Sequence, residues 1–219
     1  MQDRVKRRGG IMSKRMTILF ILALLVTIST TYAQGITGGL KAGMNIANLH
    51  GDDVIGPYYE SKMGFCAGGF ITFKVANIVA IQPEVLYTQK GTKQEEEFMG
   101  ETWKATFNLN YLEIPVLLKV IMPVQGMIKP HLFVGPYFAY NLTAKLKMEY
   151  NGSFDEIDFD EYVKNTDFGA VFGGGIDFGL PAGKIVFDAR YSLGLTTIDE
   201  EGFEDVKNNV FSFMLGYAF

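Results

Sequence analysis

The most constraining stretch of the chain is 108–120, NLNYLEIPVLLKV. Read every second residue, it separates into two unlike faces. Leu112, Ile114, Val116, Leu118 and Val120 are all aliphatic, whereas Tyr111, Glu113, Pro115, Leu117 and Lys119 include two charges and a proline. Alternation with period two over about ten residues specifies a long β-strand lying between two different environments. A soluble sandwich would turn the aliphatic face into a core and the charges to water. A membrane barrel would turn the aliphatic face to lipid and the charges into its lumen.

The N-terminus bears on that choice. Arg4, Lys6, Arg7, Arg8, Lys14 and Arg15 form a basic lead, followed by the apolar run 16–28 and then Thr31-Tyr32-Ala33 before Gln34. A basic lead, a short apolar run and a small residue at the junction predict a secretory signal peptide, residues 1–33, cleaved after Ala33. The run is shorter than the roughly 20 residues of a membrane-spanning helix. Translation starting at Met1, Met12 or Met16 leaves the pattern intact. Residues 34–219 then form one domain.

Six of the 20 Lys and Arg, but only one of the 24 Asp and Glu, lie in 1–33, so the remainder carries 14 basic and 23 acidic residues, a net of −9. That balance argues against a nucleic-acid partner, which requires a basic face. A single cysteine, Cys66, has no partner for an internal disulfide and reads as buried filler in a strand.

Beyond residue 33 eight alternating segments follow one another: 36–49, 62–74, 78–90, 103–120, 128–144, 167–180, 184–195 and 208–219. The second is the least decisive, with glycines and aromatics on both faces. The connections 75–77, 123–127 and 181–183 are short, while 50–61, 91–102, 145–165 and 196–207 are long, in strict alternation. Short and long connections alternate in this way in an eight-stranded antiparallel up-and-down transmembrane barrel. Of the 23 carboxylates, 18 fall in the four long connections, and the other five (Glu84, Glu113, Asp167, Asp177, Asp188) all take the polar parity of their strands. A Lys or Arg at mid-bilayer on the lipid face costs on the order of 2–4 kcal/mol, and Asp or Glu less. The expected fold is therefore an all-β outer-membrane barrel of a Gram-negative bacterium, with periplasmic termini and acidic loops outside. Tyr87, Trp103, Tyr140, Phe178, Tyr217 and Phe219 are expected in its aromatic belts. On the last strand Phe213, Leu215, Tyr217 and the terminal Phe219 share one face, which suits an outer-membrane assembly signal.

Four segments, GLKAGMNIANL (39–49), QPEVLYTQKG (82–91), NYLEIPVLLK (110–119) and DARYSLGLTTI (188–198), resemble the PorT-like outer-membrane β-barrel family, whose members are often labelled porin-family proteins. The likeness spans nearly all of 34–219, and the YLEIP and RYSLGL segments are its most specific pieces. It implies an outer-membrane barrel whose namesake assists protein secretion. Outer-membrane lipid, the assembly machinery and secretion-system or envelope proteins are the expected partners of this chain.

An eight-stranded barrel is just wide enough for side chains to fill. The inward set is Lys41, Glu84, Glu113, Lys119, Asp177, Asp188 and Arg190, expected to form a charge network, with Glu84 and Glu113 on neighbouring strands sharing Arg190 or Lys119. No catalytic, cofactor-binding or metal-ligating residue stands out. His50 reads as a loop-edge residue and His131 as a polar residue near a turn, neither with a Ser or Asp at recognisable spacing. Gly173-Gly174-Gly175 lies inside a strand rather than before a helix, so it is no phosphate loop. The acidic runs 95–97 and 155–162 lack the glycine and spacing of an EF-hand and read as solvated. Three function classes follow: a structural or interaction barrel with a filled lumen, a narrow porin-like channel for small solutes, and a lipid-modifying barrel enzyme.

Overall fold

A computed structural model describes residues 35–51, 59–98, 101–150, 153–201 and 205–219. The expected signal peptide and its cleavage point lie outside the described residues. The chain runs β1 (Ile36–His50), β2 (Tyr59–Lys74), β3 (Val79–Phe98), β4 (Glu101–Ile121), β5 (Ile128–Tyr150), β6 (Ser153–Asp158), a 3-10 turn α1 (Asp160–Tyr162), β7 (Thr166–Leu180), β8 (Gly183–Gly194) and β9 (Lys207–Ala218). All pairings are antiparallel. The order β4-β3-β2-β1-β9-β8-β7-β5 is closed by β4 against β5, giving an eight-stranded barrel with β6 added outside the ring. Closure satisfies the edge hydrogen bonds that lipid could not.

The alternation sorts as a membrane barrel requires. On β4 the residues from Leu112 to Val120 with even numbers face outward and exposed, and those from Tyr111 to Ile121 with odd numbers are buried. The same holds on β9, where Leu215 is 61% exposed between Met214 and the half-buried Gly216. Phe213, Leu215, Tyr217 and Phe219 all face outward. Cys66 is buried against Leu86 and Met214 inside the barrel.

Three features depart from the sequence expectation. The second long connection is not a loop: β3 and β4 continue as a ladder from Gly91↔Asn108 to Phe98↔Glu101. The acidic run 155–162 is partly β6, which pairs with the upper end of β5, and partly α1. Trp103 stands nine residues beyond Leu112, its ring tilted against that of Tyr150 at 4.2 Å, and so lies well above the lipid-facing row of β4. Each follows from cross-strand pairing, which turns polar connections into strand where they meet a partner.

At Asn110 the outward face of β4 changes from aliphatic to polar, continuing as Asn108, Thr106 and Lys104. Close by, the register between β4 and β5 slips from Tyr111↔Asn141 to Asn110↔Thr143, leaving Leu142 unopposed. This bulge switches the inward parity of β5 from odd numbers (Tyr137, Ala139, Asn141) to even ones (Ala144, Leu146).

Candidate functional site: the lumen charge network

The inward charges collect in two groups. Nearer the short turns, Glu84 of β3 accepts from Lys41 of β1 (2.6 Å), from both terminal nitrogens of Arg190 of β8 (2.8 and 3.3 Å) and from Gln82 (2.7 Å). Asp188 of β8 meets Lys41 at 3.0 Å, Arg190 at 3.4 Å and His131 Nε2 of β5 at 2.9 Å. Asp177 of β7 pairs with Lys119 of β4 at 3.3 Å and Lys184 at 2.7 Å, with His131 Nδ1 at 3.4 Å. His131 therefore lies between two carboxylates. Lys41 and Arg190 also sit over the Phe70 and Phe133 rings.

Nearer the loops, Lys90 of β3 joins Glu113 of β4 at 2.8 Å and Asp167 of β7 at 3.2 Å. Asp167 also receives the Tyr137 hydroxyl and, at 3.0 Å, Asn208. The ammonium of Lys90 lies 4.4 Å from the Tyr137 ring centre. Across both groups five cations (Lys41, Lys90, Lys119, Lys184, Arg190) meet five carboxylates (Glu84, Glu113, Asp167, Asp177, Asp188). Charges withdrawn from water persist only when compensated in this way.

All seven sequence-selected charges face the interior and are buried. One pairing expected from the sequence is corrected. Glu84 and Glu113 do occupy neighbouring strands, but they share neither Arg190 nor Lys119: Arg190 goes to Glu84, Lys119 to Asp177, and Glu113 takes Lys90. The reason is height in the barrel. Glu84 and Glu113 are not opposed, since Glu113 pairs with Leu86, one inward position further up β3. His131 is near a turn as expected, the fourth residue of β5, but is fully enclosed rather than at the surface.

Lys90, Asp167, His131 and Lys184 belong to the network without having been selected. A signal for two of them was present, because Lys90 continues the parity of Gln82 and Glu84, and Asp167 that of Asp177. The glycine run explains His131. A Cβ on Gly175 would lie 2.1 Å from the Phe187 carbonyl oxygen and 2.7 Å from His131 Nε2, so its absence lets the imidazole lie across β7.

The two ends differ. Below, a cavity of about 440 Å³ is lined by Lys74, Lys129, Lys184 and Asp177. Above, Leu109, Tyr111, Tyr137 and Ala144 pack with Val163 and Ile198, which come from the third and fourth connections. The Val163↔Asp199 bridge and the bonds Lys164 N–H to Ile198 O and Glu200 N–H to Tyr162 O tie those connections together across the mouth. Among the described residues no group of His, Cys, Asp and Glu has metal-binding geometry.

A family model described as "Outer membrane protein beta-barrel domain" matches residues 32–200. No curated protein matches the sequence. Among solved structures, Neisserial surface protein A is similar over 85% of this chain and 100% of its own, at 16% identity and a TM-score of 0.48. The outer membrane protein OprG from Pseudomonas aeruginosa is similar over 84% of this chain and 94% of its own, at 14% and 0.45. Ail, the attachment invasion locus protein of Yersinia pestis, is similar over 84% of this chain and 99% of its own, at 16% and 0.42.

Proposed function

Because the chain belongs to the outer membrane protein beta-barrel domain family, we propose that this bacterial outer-membrane protein is a closed, non-conducting barrel that works through what it presents above the membrane. The observation that carries the reading is the filled lumen. Ten charges neutralise one another across it, and an apolar cap covers the network on the loop side. An open pore would hydrate such groups rather than pair them. In this reading the barrel is an anchor, its short turns face the periplasm, and the β3–β6 strands that outrun the bilayer form the working surface. It has no catalytic role and no cofactor.

Two finer readings belong with this one. The resemblance to PorT-like barrels supports a role alongside secretion-system or envelope proteins. The outward aromatic and aliphatic row of β9, ending in Phe219, supports delivery by the outer-membrane assembly machinery after loss of residues 1–33. N-terminal sequencing of protein purified from outer membranes should begin at Gln34.

Planar-bilayer recording tests the main reading. The wild-type protein should show no steady conductance at ±100 mV, and steady openings would replace it with the narrow-channel reading. Replacing both Lys90 and Glu113 with alanine, which leaves Asp167 as the one charge of the upper network, should raise the frequency of transient openings.

A further inference from the structure

Above the membrane the two faces of the sheet exchange character. Residues directly opposed across strands share a face, so Trp103, Tyr150 and Ser153 lie together, as do Ala105, Met148 and Asp155, and Phe107, Leu146 and Ile157. This face continues that of the buried Leu109 and Tyr111 and therefore looks toward the barrel axis. The opposite face carries Lys93, Glu95, Lys104, Lys145, Lys147, Glu149, Glu156 and Asp158. On β4 and β5 the inward positions Trp103, Ala105, Phe107, Leu146, Met148 and Tyr150 are thus apolar at a height where no lipid covers them. They are flanked by the polar Gln94, Ser153 and Asp155, while the apolar Phe154 lies on the charged face. Trp103 is 51% exposed, Ile157 43% and Tyr162 55%. An exposed apolar surface of this kind on a protein in water marks an interaction site.

At its foot the face opens into a cavity of about 310 Å³ lined by Leu49, Phe107, Phe159, Tyr162, Ile198 and Val206 among others. That is the small end of the range for ligand pockets. The Phe107 and Phe159 rings meet edge to face at 5.9 Å, and Phe159 stacks on Tyr162 at 4.7 Å. Asp199 also lines the cavity, and of the carboxylates nearby in sequence Asp160 accepts from the Ala144 N–H and Asp205 pairs with Lys207. Aromatic walls beside a carboxylate favour a ligand with an apolar body and a positive head. We propose that the outer mouth of this barrel binds an amphipathic cation, its apolar part in the cavity between Phe107 and Ile198 and its charge beside Asp199.

The proposal goes beyond the anchor reading, since a conducting barrel could carry the same cavity. Trp103 is the chain's only tryptophan and a built-in reporter. At about 3.3 Å per residue, its nine positions beyond Leu112 place it ~30 Å along the strand from the lipid-facing row, out of contact with probe dissolved in a bilayer. The full protein in phosphatidylcholine vesicles is titrated with N-octylpyridinium, a cationic quencher of tryptophan, with N-hexylpyridinium, N-methylpyridinium and octyl sulfate alongside. Equilibrium dialysis against protein-free vesicles measures binding.

Saturable binding and quenching by N-octylpyridinium, tighter than N-hexylpyridinium by several-fold per methylene, with linear quenching by N-methylpyridinium and no saturation by octyl sulfate, is the expected result. Phe107→Ser, which removes one wall, and Ile198→Phe, which fills the cavity, should each weaken binding at least tenfold while heat-modifiable gel mobility shows the barrel intact. Binding no greater than to protein-free vesicles overturns the proposal. So does binding that leaves Trp103 unquenched, equal binding of octyl sulfate, or saturation unchanged in both variants.

Discussion

The barrel inside the membrane and the sheet that rises from it are built from the same strands on opposite plans. Along β4 the outward row runs Val120, Leu118, Val116, Ile114, Leu112 and then Asn110, Asn108, Thr106, Lys104. The inward row includes Lys119 and Glu113 below, and Leu109, Phe107, Ala105 and Trp103 above. No break in the strand marks the change. What changes is the solvent on the outer side. Lipid demands apolar groups outside and compensated charge within, whereas water permits charge outside and rewards apolar packing within. The boundary is drawn near Asn110, where the β3–β4 ladder runs on uninterrupted and the β4–β5 ladder bulges.

The largest effect expected from breaking this arrangement comes from within the lower network. Glu84→Leu leaves Lys41 and Arg190 short of a carboxylate and should destabilise the folded barrel by about 3–5 kcal/mol, read from urea unfolding in vesicles. Replacing Glu84 and Arg190 together by Leu and Met should cost less than the single change. Next comes the lipid face. Val116→Lys puts a charge among acyl chains and should cost about 2–4 kcal/mol in the same assay. Thr106→Lys occupies the same outward row ten residues higher, in water opposite Lys93 and Lys147, and should cost no more than about 1 kcal/mol. Equal penalties at the two positions would remove the boundary at Asn110.

Gly175→Ala sharpens the account of His131. The added methyl meets the Phe187 carbonyl oxygen and the imidazole, and a loss of about 1–3 kcal/mol is expected from overpacking. The mildest effect lies in the exposed hairpin. Hydrogen bonding from Lys145, then from Lys147, holds the Glu156 carboxyl below its usual range, while the Glu156 partner raises the pKa of Lys145. A depressed carboxylate contributes stability above its unfolded value and loses it as pH falls through the folded one. Amide protection of β6 should therefore decline on acidification below the ordinary glutamate range, about 4.3, while the barrel ladder stays protected in hydrogen–deuterium exchange.

Much of this was written in the chain itself. Strict alternation in 111–120 named the strand and its two faces, and the confinement of carboxylates to long connections and one parity placed lipid outside. Those signals are local, because side-chain direction along a strand has period two whatever it pairs with. Lys41, Glu84, Asp188 and Arg190 could be assigned to the interior for the same reason. Partner choice could not. Whether Glu113 meets Arg190 or Lys90 depends on stagger between strands, which closure of the ring fixes and no single segment encodes.

The extension above the membrane was hidden for a related reason. Residues 91–102 are polar and read as loop, yet pairing from Gly91↔Asn108 upward makes them strand. The unopposed Leu142 then reverses the parity of β5, so that Leu146 and Met148 turn inward where uninterrupted alternation from Leu132 would have sent them out. The sequence by itself determined which residues are strand-forming and which side of each strand tolerates charge, because those follow from hydropathy one residue at a time. Only the tertiary structure decided how far the ladders run, which charges meet, and that the apolar face changes sides above Asn110, because all three depend on register between strands distant in the chain.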